Sequence, residues 1–175
     1  MGETLEVLKK RRSCRSYKPD AIDQTTLDKI IEAGTYAATG MGKQSPIILA
    51  VTNREVRDEL SKLNAKIMGK DESFDPFYGA PIVLVVLAKK DVPTHVYDGS
   101  LVIGNLMNAA SDLGVGSCWI HRAKEEFEDE YGIKLLAKLG ITEEFEGIGN
   151  VILGYPAKEA GKASPRKENY VYYVK

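Results

Sequence analysis

The stretch from Ala80 to Arg122 decides the fold and reads APIVLVVLAKKDVPTHVYDGSLVIGNLMNAASDLGVGSCWIHR. Its first part, residues 80–88, is a near-continuous apolar run, which is typical of a strand buried on both faces. The segment Tyr97–Gly114 is apolar on almost every side, which predicts a helix that needs cover all round. Because one domain of this length does not readily supply that much cover, a partner subunit is the natural second layer.

A short predicted strand, Ser117–His121, closes this stretch. Cys118 and His121 are a conceivable nucleophile and base, but they lie three positions apart on one strand, so their side chains diverge. A Cys–His hydrolase is therefore not favoured. Downstream, the pattern predicts an amphipathic helix over Phe127–Leu139 and a second buried strand over Gly149–Pro156.

A basic segment follows the first predicted helix, Thr4–Arg12, and is a candidate binding site. Residues 11–17 read RRSCRSY and hold three guanidinium groups. Arginine presents a fork of donors that fits phosphate oxygens, so this pattern indicates a phosphate cradle. The alternative is the solvated basic end of a helix, where positive charge suits the helix dipole.

A second polar stretch, residues 37–46, lies between a predicted helix, Thr25–Ala38, and a predicted strand, Ile47–Thr52. Asp23 is the expected N-cap of that helix. The two glycines of the stretch allow the backbone to approach a ligand closely, whereas the alternative is an ordinary loop. The stretch matches neither the dinucleotide-binding fingerprint nor the P-loop.

A further helix, capped by Asn53, is expected to run to about Met68 and to be followed by the loop Gly69–Gly79. The loop carries three aromatic side chains, Phe74, Phe77 and Tyr78. They predict either a lid over a flat ligand or, more ordinarily, anchors that fix the loop to the core.

The C-terminal tail, Lys158–Lys175, is polar until Tyr170–Val174, where five residues favour β-structure. A strand at the end of a polar arm needs a sheet edge to join, in this subunit or in another. Arg166 and Lys167 lie just before it.

The composition of the 175-residue chain predicts a single domain, residues 1–175, and excludes several classes of function. Its 24 Lys and Arg residues are balanced by 25 Asp and Glu residues, and this balance argues against bulk binding to nucleic acid or membranes. No apolar run reaches the roughly 18 residues that a membrane span needs, and Met1–Glu6 does not read as a signal peptide. The two cysteines form no disulfide framework or zinc motif, so a cytoplasmic protein without metal is expected.

Taken together, four stretches resemble the FMN-dependent nitroreductase family, as in a small, single-domain member, and they occur in the family's order. They are Arg11–Tyr17, Thr39–Pro46, Asn105–Ala110 leading into Leu113–Ile120, and Leu153–Ala157 with Arg166 behind it. The resemblance implies an α+β fold with a mostly antiparallel central sheet flanked by helices. It also implies an intertwined homodimer in which the Tyr97–Gly114 helix lies at the interface and the Tyr170–Val174 strand crosses to the partner's sheet.

The resemblance assigns the basic residues to the phosphate end of FMN. Arg11, Ser13 and Arg166 would hold the phosphate, with Arg12 helping. Arg15 would lie near the ribityl chain and the N1/O2 edge of the ring, where a cation favours reduction of the flavin.

The resemblance assigns three further groups to the flavin ring. Four residues would come from the second subunit and help to enclose the ring: Thr39, Gly40, Met41 and Gln44. Four would line the other face and offer backbone N–H groups: Cys118, Trp119, Ile120 and His121. Asn64 would contact the pyrimidine edge.

The implied activity is a two-step exchange in which NAD(P)H delivers a hydride to flavin N5 and a small acceptor, such as a nitroaromatic or a quinone, then takes its place. No side chain is expected to be catalytic, because the cofactor carries the chemistry. Two other hypotheses are a non-catalytic FMN-binding carrier or regulatory protein, and a structural dimer whose basic patch binds another phosphate.

Overall fold

The computed structural model describes residues 3–175. Met1 and Gly2, the first two residues of the segment Met1–Glu6 that was compared with a signal peptide, lie outside the described residues. The helices are α1 (Glu3–Lys10), α2 (Gln24–Thr35), α3 (Arg54–Ile67), α4 (His95–Asp112), α5 (Ala123–Glu128) and α6 (Glu130–Lys138). The strands are β1 (Pro46–Val51), β2 (Ile82–Lys89), β3 (Gly116–Ile120) and β4 (Phe145–Gly154), and short 3-10 turns cover Gly40–Gly42 and Glu168–Tyr170.

The four strands form one antiparallel sheet in the order β1-β2-β4-β3. The predicted central strand is confirmed, since β2 is buried along its whole length except at Lys89. Its residue Val85 pairs with Leu49 on one side and with Asn150 on the other. The predicted α+β class with a mostly antiparallel sheet is confirmed.

Alternate side chains of β2 enter two separate apolar layers. On one face, Leu84 and Val86 pack with residues of α2 and α4, such as Ile30 and Leu106. On the other face, the layer is built with residues from α3, α5 and α6. The sheet is therefore covered by helices on both sides, as a strand without polar positions requires.

Two predicted helix caps are confirmed, and both are side-chain oxygens that accept a backbone N–H in the first turn. Asp23 accepts from the N–H of Thr26 at 2.9 Å, and Asn53 accepts from the N–H of Val56 at 3.0 Å. The helix predicted to end at Ala38 ends earlier, at Thr35, and the first helix ends at Lys10 rather than Arg12.

The helix predicted over Phe127–Leu139 is wrong, because the chain makes two helices there. Asp129 adopts an extended conformation between α5 and α6, and its side chain accepts the N–H of Tyr131 at 2.9 Å. This local bond competes with a continuous helix, as acidic side chains often do at helix starts. The strand predicted from Gly149 begins four residues earlier, at Phe145.

Helix α4 covers the sheet with one face only. Val102, Ile103 and Leu106 are buried, whereas Tyr97 is 71% exposed and Leu101 is 52% exposed. The partner subunit that is expected to cover this apolar surface stays a prediction, because the structure contains a single chain.

The aromatic loop is anchored through Asp75 rather than hinged. The carboxylate accepts from Arg57 Nη2 and from Ser61 Oγ, each at 2.6 Å, and from the N–H groups of Phe77 and Gly79. Partial burial acts to raise the pKa of Asp75, but the hydrogen bonds from Arg57, Ser61 and Gly79 prevail and lower it. Because Phe77 is fully buried, the anchor interpretation is favoured over the lid for this half of the loop.

The tail from residue 157 to the end is exposed throughout. The segment predicted as a strand, Tyr170–Val174, is 63–100% exposed and forms no strand with residues 3–175 of the same chain. No helix in this described range is long and apolar enough to cross a bilayer.

Candidate functional site

A cavity of about 350 Å³ lies between residues 10–16, the start of β3 and the first residues of the tail. Its lining includes five basic side chains, Lys10, Arg11, Arg12, Arg15 and Lys158. Four hydroxyls also line it, from Ser13, Ser16, Ser111 and Ser117, together with a single carboxylate from Glu159. The cavity is therefore strongly cationic and rich in donors, which suits an anion with several oxygens.

The basic segment is placed by hydrogen bonds to the sheet edge. The N–H of Cys14 donates to the carbonyl of Ser117 at 2.8 Å, so residues near 14 extend the sheet beside β3. Tyr17 Oη donates to the carbonyl of Cys14 at 2.7 Å, and burial raises the pKa of this hydroxyl, which keeps it a donor. Gly116 permits the close approach, since a Cβ there would lie 2.9 Å from Cys14 Sγ.

Three buried polar atoms at this cavity lack a hydrogen-bond partner among residues 3–175: Arg11 Nη1, Arg12 Nε and Ser117 Oγ. Arg12 uses Nη1 to donate to the carbonyls of Lys9 and Arg11, at 2.8 and 2.6 Å, which fixes its guanidinium group. Unpaired buried donors cost about 1–3 kcal/mol each, and an anion in the cavity would satisfy them. This geometry favours the phosphate cradle over the solvated helix end.

The segment Cys118–His121 runs along β3 away from the cavity. At about 3.3 Å per residue, Ile120 at the end of β3 lies roughly 10 Å from Ser117, and His121 follows it. Cys118 and Ile120 are buried, whereas Trp119 is 37% exposed and its indole packs against Gly149. Cys118 is buried and His121 is exposed, an arrangement that does not favour a nucleophile and base acting together.

Asn64 is fully buried beneath the end of β3. Its Nδ2 donates to the carbonyl of His121 at 2.8 Å and to Glu126 Oε1 at 2.6 Å. Its Oδ1 is buried and has no partner within the described chain. Asn64 therefore bonds to the turn after β3 and to Glu126. A contact between Asn64 and a flavin stays a prediction.

Glu126 is a buried acid that the sequence does not single out. It lies in the run KEEFEDE, residues 124–130, which resembles a solvated helix face. In the structure it is fully buried, and burial raises the pKa of its carboxyl to about 8, although bonds from Asn150 and Asn64 oppose this. Nothing in the local sequence pattern indicates that Glu126, rather than one of its acidic neighbours, faces the core.

The loop Thr39–Ser45 is held in a strained shape. Met41 has φ 54° and Gln44 has φ 48°, a left-handed region that non-glycine residues seldom adopt. The N–H of Gln44 donates to Thr39 Oγ1 at 3.1 Å. Strained loops of this kind cluster at functional sites.

Asp98 fixes this loop from helix α4, and sequence patterns miss it because an acidic residue in a first helical turn is ordinary. It is 3% exposed. It accepts from the N–H of Gly40 at 3.0 Å, from Ser45 Oγ at 3.3 Å and from Thr94 Oγ1 at 3.0 Å.

The structure brings together only part of the predicted site. Within the described range of one chain, Arg11, Arg12, Ser13 and Arg15 share the cationic cavity. The other predicted site residues do not line this cavity: they are the tail residue Arg166, which donates to the carbonyl of Ser164 at 2.6 Å, the loop residues Thr39, Gly40, Met41 and Gln44, the buried Asn64, and Cys118, Trp119, Ile120 and His121. Across residues 3–175 no group of three or more His, Cys, Asp or Glu side chains is arranged to hold a metal ion.

Comparison with known proteins gives a consistent result. The model described as the nitroreductase family matches residues 8–155. An Archaeoglobus fulgidus protein with the provisional name NADH dehydrogenase/NAD(P)H nitroreductase is 31% identical over 163 residues, covering 91% of this chain and 88% of that protein. A Methanothermobacter thermautotrophicus protein with the same provisional name is 26% identical over 166 residues, covering 91% and 80%.

The chain is also similar to a solved structure, a nitroreductase with bound FMN from Bacteroides fragilis. The TM-score is 0.88, the sequences are 29% identical, and the match covers 100% of both chains.

Replacing Asp98 with Asn is expected to loosen the strained loop, because the amide nitrogen cannot accept the bonds that the carboxylate accepts. We expect a loss of about 2 kcal/mol in the free energy of unfolding, measured with urea. The control is Asp112→Asn at the exposed far end of the same helix. Equal stability of the two variants would contradict the role of Asp98.

Proposed function

This chain belongs to the nitroreductase family and is a flavin-dependent oxidoreductase with FMN as its cofactor, and we propose that it takes reducing equivalents from NAD(P)H and passes them to a small acceptor, such as a nitroaromatic or a quinone. The observation that supports it from this structure is the set of unpaired donors on Arg11, Arg12 and Ser117 in a cationic cavity, which suits the phosphate of the flavin that would carry the electrons. The names of the two archaeal relatives, which include NAD(P)H, support the choice of reductant.

The phosphate of FMN would be held by the cationic cavity. Arg11 and Arg12 offer buried N–H groups that lack partners within the described chain, and Ser13 and Ser117 add hydroxyl donors. Charge-assisted bonds from guanidinium to phosphate are among the stronger hydrogen bonds in proteins. Arg15, exposed at the rim, would keep positive charge on the side where the flavin gains electrons.

The flavin ring would lie along the segment Cys118–His121, with Trp119 and Ile120 between its ends. When bound, FMN supplies the redox chemistry by exchanging a hydride at N5, and the chain binds and orients it. The free acceptor on Asn64, its Oδ1, has the polarity that the N3–H donor of a flavin needs. No side chain is required as an acid or base for this transfer.

A second copy of the chain would complete the site. The strained loop with Thr39, Gly40, Met41 and Gln44, and the tail residue Arg166, lie away from the cationic cavity of their own chain. The exposed apolar face of α4 offers a surface for a homodimer. In that arrangement the loop would enclose the ring of the partner's flavin.

The test is an absorbance spectrum of the purified protein, followed by addition of NADH and then NADPH without oxygen. We expect a flavin spectrum that bleaches with at least one of the two. A flavin spectrum that persists with both nucleotides would contradict the proposed NAD(P)H-dependent activity and would favour an FMN carrier. A colourless protein that takes up no added FMN would overturn the cofactor site as well.

Replacing Arg11 with Ala is expected to weaken FMN binding by about 10- to 100-fold, because the phosphate loses charge-assisted bonds worth about 1.5–3 kcal/mol. The measurement is a titration of the apoprotein with FMN, in which quenching of the flavin fluorescence reports binding. The control is Lys29→Ala, an exposed cation on α2. Equal affinity of both variants would contradict the cradle.

The tail is proposed to join the sheet of a second copy. Strand β1 is at the end of the strand order, so its outer edge is unpaired among residues 3–175. A largely apolar groove of about 440 Å³ runs along it, lined by Val56 of α3, Leu135 of α6 and Leu139, the residue that follows α6. An exposed β-forming segment such as Tyr170–Val174 fits an open edge of this kind.

Deleting residues 170–175 is therefore expected to weaken the proposed dimer, because the strand that would be exchanged is lost together with its aromatic side chains, which are exposed in a single chain. Sedimentation velocity over a range of concentrations measures the dissociation. Removal of Lys175 alone is the matched control and should leave the dimer intact. If the shorter chain sediments as an equally stable dimer, strand exchange is wrong.

A further inference from the structure

Arg122 lies in the turn that ends strand β3, and its backbone is strained. Its φ is 80°, in the left-handed region that residues other than glycine seldom adopt. The carbonyl of the preceding residue, His121, accepts from Asn64 Nδ2 at 2.8 Å. The carbonyl of Arg122 accepts from the N–H of Glu126 at 3.0 Å. These bonds fix the turn, so the Arg122 side chain starts from a defined place beyond the end of β3.

Strained backbone of this kind is concentrated around the proposed ring site. Among residues 3–175, four non-glycine residues have a positive φ: Met41, Gln44, Tyr78 and Arg122. Met41 and Gln44 lie on the loop proposed to enclose the ring, and Arg122 directly follows the segment proposed to lie beside it. Such strain persists mainly at ligand sites and active sites. Because glycine would remove the strain, an arginine at this position points to a use for its side chain.

The guanidinium group of Arg122 makes no hydrogen bond or ion pair within the described chain, although the residue is half-buried. The other arginines outside the cationic cavity are all bonded: Arg54 to Asp58, Arg57 to Asp75, and Arg166 to the carbonyl of Ser164. The charge of Arg122 acts on Glu126 only at longer range. A solvated surface arginine is the ordinary alternative, but it needs neither half-burial nor a strained backbone.

We propose that Arg122 is a substrate-binding residue that holds an anionic group, a carboxylate or a phosphate, of the molecule on the open face of the flavin. Its guanidinium group offers a fork of donors that fits either anion. This inference rests on the proposed function, since Arg122 adjoins the ring only if FMN lies along Cys118–His121. Two molecules can supply the group, a negatively charged acceptor and the phosphates of NAD(P)H, and the experiment separates them.

The test compares steady-state reduction of 4-nitrobenzoate and of neutral 4-nitrobenzamide by the wild-type holoenzyme and by Arg122→Gly, with NADH and with NADPH. Glycine suits the observed φ of 80°, so the turn keeps its shape while the side chain is lost. We expect KM for 4-nitrobenzoate to rise about 10- to 100-fold, because a charge-assisted bond is lost. KM for 4-nitrobenzamide should stay within about twofold, and kcat should change little for both.

Two further variants show whether the effect belongs to the charge at this position. Arg122→Lys keeps a cation but not the fork of donors, and it should recover part of the affinity for 4-nitrobenzoate. Lys124→Gln removes a nearby cation that pairs with Glu146 at 3.1 Å, and its KM values should match those of the wild type.

A binding measurement gives a readout without turnover. Benzoate and benzamide are titrated into the oxidised holoenzyme, and the change in flavin absorbance reports binding. We expect the wild type to prefer benzoate and Arg122→Gly to lose this preference. Urea unfolding of the apoprotein should show Arg122→Gly to be at least as stable as the wild type, because glycine relieves the left-handed strain. If the glycine variant does not fold, Arg122→Gln takes its place.

The outcomes separate this inference from the proposed function. A rise in KM confined to NADH and NADPH supports the inference and identifies the phosphates of the dinucleotide as the anionic group. KM values that change equally for the two nitro compounds, or not at all for any substrate, overturn the inference, whereas bleaching of the flavin by NAD(P)H leaves the proposed function intact. If the wild type reduces neither nitro compound, the titration decides, because the absence of a benzoate preference overturns the inference. A protein that binds no FMN overturns both.

Discussion

The fold depends on one constraint, which is that β2 has no polar face to turn toward water. Residues from Ile82 to Ala88 are buried on both sides, so helices must cover both sides of the sheet. Helices α2 and α4 cover one side, and α3, α5 and α6 cover the other. The two layers also set the site, because α4 carries Asp98 to the strained loop and α3 carries Asn64 to the end of β3.

Much of this architecture could be predicted because its signals are local. The apolar run of β2 and the capping residues Asp23 and Asn53 act within a few residues of themselves. The break at Asp129 was missed because a capping bond and a helical surface position look alike in sequence. The early start of β4 was missed because Gly147 and Gly149 weaken the strand pattern.

The candidate site could be predicted in composition but not in arrangement. Arg11, Arg12 and Ser13 were recognised by residue type, yet their placement depends on Cys14 pairing with Ser117, more than a hundred residues away. Asp98 and Glu126 were missed because burial, not sequence context, gives them their roles. Met41 and Arg166 do not line the cavity of their own chain, and only the proposed second copy would bring them to it.

The packing of Trp119 against Gly149 limits which substitutions this sequence can accept during evolution. A Cβ at position 149 would collide with the indole, and Ile103 lies close on the same side. Substitutions at positions 119 and 149 are therefore not independent, because a larger residue at 149 would need a smaller one at 119 first. Such epistasis makes the strand beside the proposed ring site slow to diversify one substitution at a time.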